Sequence, residues 1–258
     1  MLLFRRPGKP SGISRRALWI WGMLFMAAGV VGQCVIQNGI LEISGLSNQE
    51  LVDKMADSSV LGYVSIALVL QAIQSCAIPI FALLTVEGFT HTSSLKNYIL
   101  RVACLALVAE IPYNLAMGGS WFVLSSRNPV FGILLSLVML YLYRYYAGTT
   151  LKTIAIKVLI FVMGFLWAHM LGIQDGAAVA ILVSTFWFMR IKPDYRVFVG
   201  AVVMVLCCLL SPYYIVAPIA MMVIHYYNGE PGEETRWMRY AAYPALLLII
   251  WAVAVNFI

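Results

Sequence analysis

Apolar residues along this chain neither alternate with polar ones at a period of two nor keep to one face of a helix. They fill whole blocks separated by short polar segments, at 17–36, 59–89, 98–117, 128–146, 153–171, 174–190, 197–211, 212–227 and 240–258. An α-helix needs about 20 predominantly apolar residues to cross the hydrocarbon core, so the pattern predicts an all-α polytopic transmembrane helix bundle of about nine spans, with roughly eight to ten as the range. The second block is too long for one straight crossing and contains Pro79, which predicts a kink or break. The pairs 153–171/174–190 and 197–211/212–227 are joined so tightly that each reads as a hairpin. Between the first two blocks the loop 37–58 carries Glu42, Glu50, Asp53 and Asp57 against one Lys54. Within it, Ser47-Asn48-Gln49-Glu50 has capping-box spacing and Leu51, Val52 and Met55 follow on one helical face, which predicts a short helix lying on the outer membrane surface. The organisation expected is a basic tail, 1–16, followed by a single transmembrane domain, 17–258.

Composition removes the other fold classes. Of 258 residues, 62% are hydrophobic and 11% charged, with a mean hydropathy of +0.90. A soluble domain carries about a quarter charged residues, and a disordered chain lacks the apolar content found here. The net charge of +6 has no soluble basic domain to present it, so nucleic acid is not an expected partner; the charge reads as topology. When the ends of nine spans are assigned alternately, every Lys and Arg except Lys54 and Arg127 falls on the side of the N-terminal tail, which places that tail in the cytoplasm and the C-terminus outside. The first block follows a basic tail as a secretory signal does, but it is long and lacks a small-x-small exit, so it reads as an uncleaved anchor in the cell membrane. Trp19, Trp21, Tyr141, Tyr143, Tyr145, Tyr146, Tyr226 and Tyr227 cluster at span ends, where interfacial aromatic belts form. Cys34, Cys76, Cys104, Cys207 and Cys208 all sit in apolar runs without metal-ligand spacing and read as small packed hydrophobes; no metal and no bound cofactor is expected. Phosphate-loop, dinucleotide, zinc-protease and nucleophile-elbow motifs are absent from the sequence.

Candidate chemistry therefore lies in the polar residues placed inside hydrocarbon, where a charged group at a helix centre costs about +2.5 to +3.5 kcal/mol on insertion scales. Gln71, Gln74 and Ser75 fall mid-membrane on the second span. Glu87 and His91 lie near its cytoplasmic end, four residues apart and hence on one helical face. Glu110 and Asn114 repeat that spacing around Pro112. Asn128 opens the fourth span, His169 and Asp175 flank the outer turn between the fifth and sixth, and His225 lies near the inner end of the eighth. Two readings of Glu110 stand: a carboxylate bonded to a neighbouring helix or to backbone freed by Pro112, or one that handles a proton or orients a substrate in a cavity.

Several segments resemble the TraX family of bacterial membrane proteins. Residues 79–92 read PIFALLTVEGFTHT, similar to the family's FPIFAFLLVEGFxHT. Residues 96–101 match its KxYLLR, Ala109-Glu110-Ile111-Pro112-Tyr113-Asn114-Leu115 its SEIPFDLA, and Asn128-Pro129-Val130-Phe131 its NVFF. Gln174-Asp175-Gly176 resembles its DYG, and Tyr227-Asn228-Gly229 with Tyr243-Pro244 its YNG…YP ending. Three motifs depart from the pattern. Met26 and Ala27 stand where the family has an Asp-His pair in MLIDHIG, Asn114 replaces the acid of SEIPFD, and YPxHL becomes Tyr243-Pro244-Ala245-Leu246.

The resemblance implies a membrane-embedded acyltransferase that moves an acetyl group from cytoplasmic acetyl-CoA, as donor substrate, to an amine or hydroxyl acceptor on a secreted or surface polypeptide; the namesake is associated with acetylating the amino terminus of conjugative pilin. Under it Glu87, His91 and Glu110 are the catalytic candidates, Lys96 and Arg101 bind donor phosphates, and Asn114, Asn128, Asp175 and His169 serve the acceptor. The lost Asp-His pair keeps a non-catalytic binding or assembly protein of the same fold in play, with the lipid bilayer as the one partner common to every reading. A small permease coupled to protons through Glu110 is the third alternative.

Overall fold

A computed structural model describes residues 12–43, 46–123, 126–231 and 236–257. Arg5, Arg6 and Lys9 of the expected tail lie outside that set, as do the side chains of Leu51, Arg236 and Arg239. The described chain is helical. Helix α1 (Arg15–Val30) continues as a π-helical stretch, Val31–Ile40, and α2 is the short Asn48–Met55. Then come α3 (Ser58–Gln74), α4 (Ala77–His91), α5 (Leu95–Gly118), α6 (Val130–Tyr145), α7 (Leu151–Met170), α8 (Gly176–Met189) and α9 (Pro193–Cys207). A 3₁₀ stretch, Pro212–Ile219, leads into α10 (Ala220–His225), and α11 spans Arg236–Phe257. Arg15–Ile40, Ser58–His91, Leu95–Gly118 and Leu151–Met170 are each long and apolar enough to cross a membrane; Val130–Tyr145, Gly176–Met189, Pro212–His225 and Tyr240–Asn256 are shorter apolar helices. The fold is an all-α polytopic membrane bundle.

The long second block breaks at Ser75 and Cys76, a turn earlier than Pro79. Proline has no N–H to give the carbonyl four residues back, so a helix that restarts at Ala77 places Pro79 in its first turn, where an N–H has no intrahelical partner anyway. The backbone tightens there into three-residue bonds, Ser75 N to the Ala72 carbonyl at 3.2 Å and Cys76 N to that of Ile73 at 3.1 Å. By contrast α5 runs through Pro112 and ends at Gly119 in the left-handed region, φ 64°.

Helix α8 sits at the centre, packed against α4, α6, α7 and α9, with Val179, Leu182, Val183 and Phe186 buried. Lipid tails are as apolar as these side chains, so packing rather than the hydrophobic effect joins such helices. Small residues make the approach close: a Cβ on Gly132 would stand 3.0 Å from the Gly176 Cα. Across the same core Phe89 and Trp187 meet edge to face at 5.5 Å. Helix α7 is peripheral and turns Ile154, Val158, Leu159 and Trp167 outward. Tyr143 and Tyr227, read from sequence as belt residues, are instead buried. Each hydroxyl has a partner in the interior, Ser184 Oγ at 3.1 Å for Tyr143 and Glu87 for Tyr227.

The bundle has two distinguishable ends. At one, here the basic end, the segment before α1 pairs with the segment after α10 through Ile13 N to the Tyr226 carbonyl at 2.9 Å and Arg15 N to that of Glu230 at 2.8 Å. At the far end, Asn38 Nδ2 of the π-helical stretch donates to the Met117 carbonyl at 3.1 Å. There too Arg127 N donates to the Gly172 carbonyl at 2.8 Å, tying the loop before α6 to the turn before α8.

The short helix α2 carries the capping box that its spacing predicts. Ser47 N donates to Glu50 Oε2 at 2.8 Å, and Glu50 N donates back to Ser47 Oγ. The Ser47 hydroxyl, which donates to Glu50 Oε2 at 2.7 Å, and the Ser47 N–H together hold the Glu50 carboxyl below its ordinary value of 4.5. A carboxyl lowered in the folded state contributes stability that is present above its unfolded pKa and lost as pH falls through the folded one. Amide-exchange protection factors for residues 48–55 are therefore expected to fall as pH drops below the usual carboxylate range, and Ser47→Ala to reduce them at neutral pH as well.

Candidate functional site

Two adjoining cavities lie among the described residues. The far-end cavity, about 440 Å³, is lined by Gln33, Gln71, Gln74, Ser75, Tyr113, Asn114, Ser126, Gln174, Asp175, Ser211, Tyr213 and Tyr214, with Met117, Gly118 and Val123. The other, about 200 Å³, extends toward the basic end between α1, α4, α5, α6, α8 and α11, and its walls are largely apolar: Trp19, Met23, Met26, Phe81, Leu84, Val102, Leu105, Ile133, Val179 and Tyr243 among them, with Arg15 and Tyr98. Gln74 and Asp175 line both, so the two cavities adjoin at these side chains. On α4 the lining positions Ala77, Ile78, Phe81, Leu84, Thr85 and Gly88 fall on one helical face and rise roughly 16 Å at 1.5 Å per residue.

Interrupted backbone creates the polar half. Gln74 and Ser75 stand at the break between α3 and α4, Gln174 and Asp175 at the turn into α8, and Ser211, Tyr213 and Tyr214 where α9 gives way to the 3₁₀ stretch. Asp175 holds φ 55°, a strained region for a residue with a side chain. Its Oδ1 accepts from the Tyr214 hydroxyl at 2.7 Å. The Tyr113 hydroxyl donates to Gln174 Oε1 at 3.2 Å, and Gln71 Nε2 donates to Gln33 Oε1 at 2.7 Å, the latter joining α3 to the π-helical stretch. Asn114 Nδ2 donates to the Trp121 carbonyl at 3.3 Å, while its Oδ1, on a residue 2% exposed, has no partner among the described residues. Helices α4 and α8 both begin beside Gln74 and Asp175 without a side-chain cap, so two positive helix ends converge where the cavities meet.

The candidate residues separate into groups. Asn114 and Asp175 line the far cavity, together with Gln71, Gln74 and Ser75. Glu110 does not. Its Oε1 pairs with Arg127 Nη1 at 3.3 Å, and its Oε2 accepts from Asn128 Nδ2 at 2.6 Å and Asn128 N at 3.2 Å. Asn128, fully buried, also donates to the Ala106 carbonyl at 2.8 Å and accepts from Val130 N at 3.0 Å. These bonds tie α5 to the start of α6. Glu87, buried, accepts from Tyr227 with Arg196 and Arg15 nearby, but it is not among the residues lining either cavity. His91 is exposed, its Nδ1 3.0 Å from the Glu87 backbone carbonyl rather than at the carboxylate. Lys96 and Arg101 are exposed on α5, whose Tyr98 and Val102 line the basic-end cavity instead, and His169 is exposed at the end of α7. Among the described residues no cluster of His, Cys, Asp and Glu has the arrangement of a metal site.

Sequence reasoning missed Gln33, Tyr113, Gln174, Tyr214 and the cavity-facing Tyr243. Gln33 was findable, as an amide within an apolar block; the tyrosines have no signal that separates a cavity wall from a membrane interface.

The apolar bundle around a polar cavity defines a polytopic helical membrane protein. The family model described as TraX protein matches residues 14–254, so the chain belongs to the TraX family. No curated protein and no solved structure matches it.

The clamp at Glu110 makes a prediction. Glu110→Ala leaves the Asn128 amide and Arg127 without their acceptor and is expected to cost about 1–3 kcal/mol, read as a lowered unfolding midpoint in detergent, with Glu110→Gln recovering part of it.

Proposed function

We propose that this chain is a membrane-embedded acyltransferase of the TraX type, oriented with its N-terminus in the cytoplasm of a bacterial cell and crossing the cell membrane many times. The observation that carries this reading is the sharing of Gln74 and Asp175 by two cavities of different chemistry. A donor entering from the basic end and an acceptor entering from the far end would meet at one carboxylate inside the membrane. Acetyl-CoA is the proposed donor. Its phosphates would sit at the basic end near Arg15, with Lys96 and Arg101 on the outer rim, and its slender pantetheine arm would follow the α4 face from Gly88 to Ala77, bringing the thioester to Asp175. The acceptor is an amine or hydroxyl carried by a secreted or surface molecule, a polypeptide in the reading that family resemblance implies.

The chemistry requires little. The acceptor heteroatom attacks the thioester carbonyl, its proton passes to the Asp175 carboxylate, the carbon–sulfur bond breaks, and the proton moves on to the departing CoA thiolate. Tyr214 holds the carboxylate in place. The uncapped starts of α4 and α8 and the Gln74 amide favour the negative charge that develops on the carbonyl oxygen. Glu87, bonded to Tyr227 and buried beside Arg196, serves in this reading to seal the basic end, and His91 to cap α4.

One observation favours a second reading, a binding or assembly protein of the same fold. Met26, at the position of the family's aspartate, lines the basic-end cavity, so the missing pair would have stood in the donor path.

Purified protein in detergent separates the two. Acetyl-CoA is expected to raise its melting temperature and free CoA to raise it less. Asp175→Asn should keep that stabilisation while lowering transfer about 10²-fold or more, the scale of a lost general base; His91→Ala should change neither. A folded sample that millimolar acetyl-CoA does not stabilise contradicts the acyltransferase reading. If wild-type protein binds donor without transferring, and the double substitution Met26→Asp with Ala27→His restores transfer, the second reading holds.

A further inference from the structure

We infer that the far-end cavity is a site for a hydroxyl-rich ligand, a saccharide or polyol, and that a hydroxyl of this ligand is the acyl acceptor. The second clause rests on the proposed acyl transfer; the first does not. The lining of the cavity carries the inference. Among the described residues it presents five carboxamides, three serine hydroxyls and three tyrosine hydroxyls, a single carboxylate and no Lys, Arg or His. A carboxamide is a donor and an acceptor at once, as a hydroxyl is, so this wall matches a ligand whose groups also do both. An ammonium or a phosphate would instead call for an excess of charge of one sign. Asp175 is the only charged side chain among the described lining residues, and in acyl transfer it must remain able to accept a proton, which a bound ammonium counter-ion would oppose.

A second observation points to a ligand independently. Asn114 lines this cavity, and its buried Oδ1, on a residue 2% exposed, has no donor among the described residues. A buried acceptor left unmade costs about 1–3 kcal/mol, so it marks a place where a donor from elsewhere belongs. Tyr213 adds a ring partly open to solvent, 38% exposed, against which the apolar face of a sugar ring can lie. At about 440 Å³ the space falls within the roughly 300–1,000 Å³ of small-molecule sites. The step balances: the ligand oxygen attacks the acetyl carbonyl carbon, an ester C–O bond forms as the C–S bond breaks, and the hydroxyl proton leaves through Asp175 to CoA.

The test uses the full chain in detergent with N-acetylglucosamine, glucose and an N-terminally free dipeptide amide as probes. Each is titrated for thermal stabilisation with and without acetyl-CoA, and any acetylated product is separated from acetyl-CoA and treated with alkaline hydroxylamine, which cleaves oxygen esters and spares amides. Stabilisation by a saccharide, an ester product, and a half-saturating saccharide concentration about tenfold higher in Asn114→Leu with acetyl-CoA stabilisation unchanged are the expected results. Tyr213→Ala, at a partly exposed position, provides the same comparison if Asn114→Leu does not fold. Preference for the dipeptide amide with an amide product overturns the inference and leaves acyl transfer standing, as does a protein that acetyl-CoA stabilises and neither sugar does. Saccharide stabilisation weakened by Asn114→Leu in a protein that ignores acetyl-CoA supports the site and removes the acyl-transfer reading.

Discussion

Inside hydrocarbon no water is available to satisfy a peptide group, so backbone that leaves the helix must be buried against protein or line a cavity. The rest of this structure depends on that constraint. The chain interrupts its helices at the α3–α4 break, the turn into α8 and the start of the 3₁₀ stretch, and all three interruptions open on the same polar space. Carboxamides, hydroxyls and one carboxylate collect there because it is the part of the interior where they can be hydrated or bonded. The apolar faces left over pack around α8 or turn outward.

The same constraint separates structural polar groups from candidate functional ones. Glu110 is a charge that the bundle neutralises, through Arg127, and engages fully, through Asn128. Glu87 is bonded to Tyr227 through Oε2 at the opposite end of the bundle, and its buried Oε1 has no partner among the described residues. Asp175 differs. It stands in strained backbone at a boundary shared by two cavities, its carboxyl held by the Tyr214 hydroxyl and the Gln174 side chain. Strain of that kind persists where surrounding structure over-determines it, and such positions concentrate at ligand sites. The neighbouring uncapped starts of α4 and α8 add positive potential, which suits a reaction that builds negative charge on an oxygen.

Much of this was legible in the sequence. Apolar blocks too long and too continuous for a soluble protein define the bundle, and Ser47 to Glu50 specify a helix start through local hydrogen bonds alone. Gln71, Gln74, Ser75, Asn114 and Asp175 announce themselves as polar groups that lipid does not tolerate. What a linear reading lacks is the partner. Nothing near Glu110 in its helix reveals that Arg127 and Asn128, in the following loop, will clamp it, so a structural carboxylate and a catalytic one look alike. Pro79 shows that a break is needed but not that the helix restarts early enough to make the proline harmless. Tyr143 and Tyr227 share composition and position with interfacial tyrosines and differ only in having a buried partner.

The account stands on Gln74 and Asp175 being the meeting point of two routes through the protein. An electron cryomicroscopy reconstruction of the chain with bound acetyl-CoA tests this most directly. Density running along the α4 face from Gly88 toward Ala77, with the thioester within hydrogen-bonding distance of Asp175 or Gln74, is the predicted result. A donor bound outside the basic-end cavity, or an acetyl group directed at the exposed surface around His91, would contradict it.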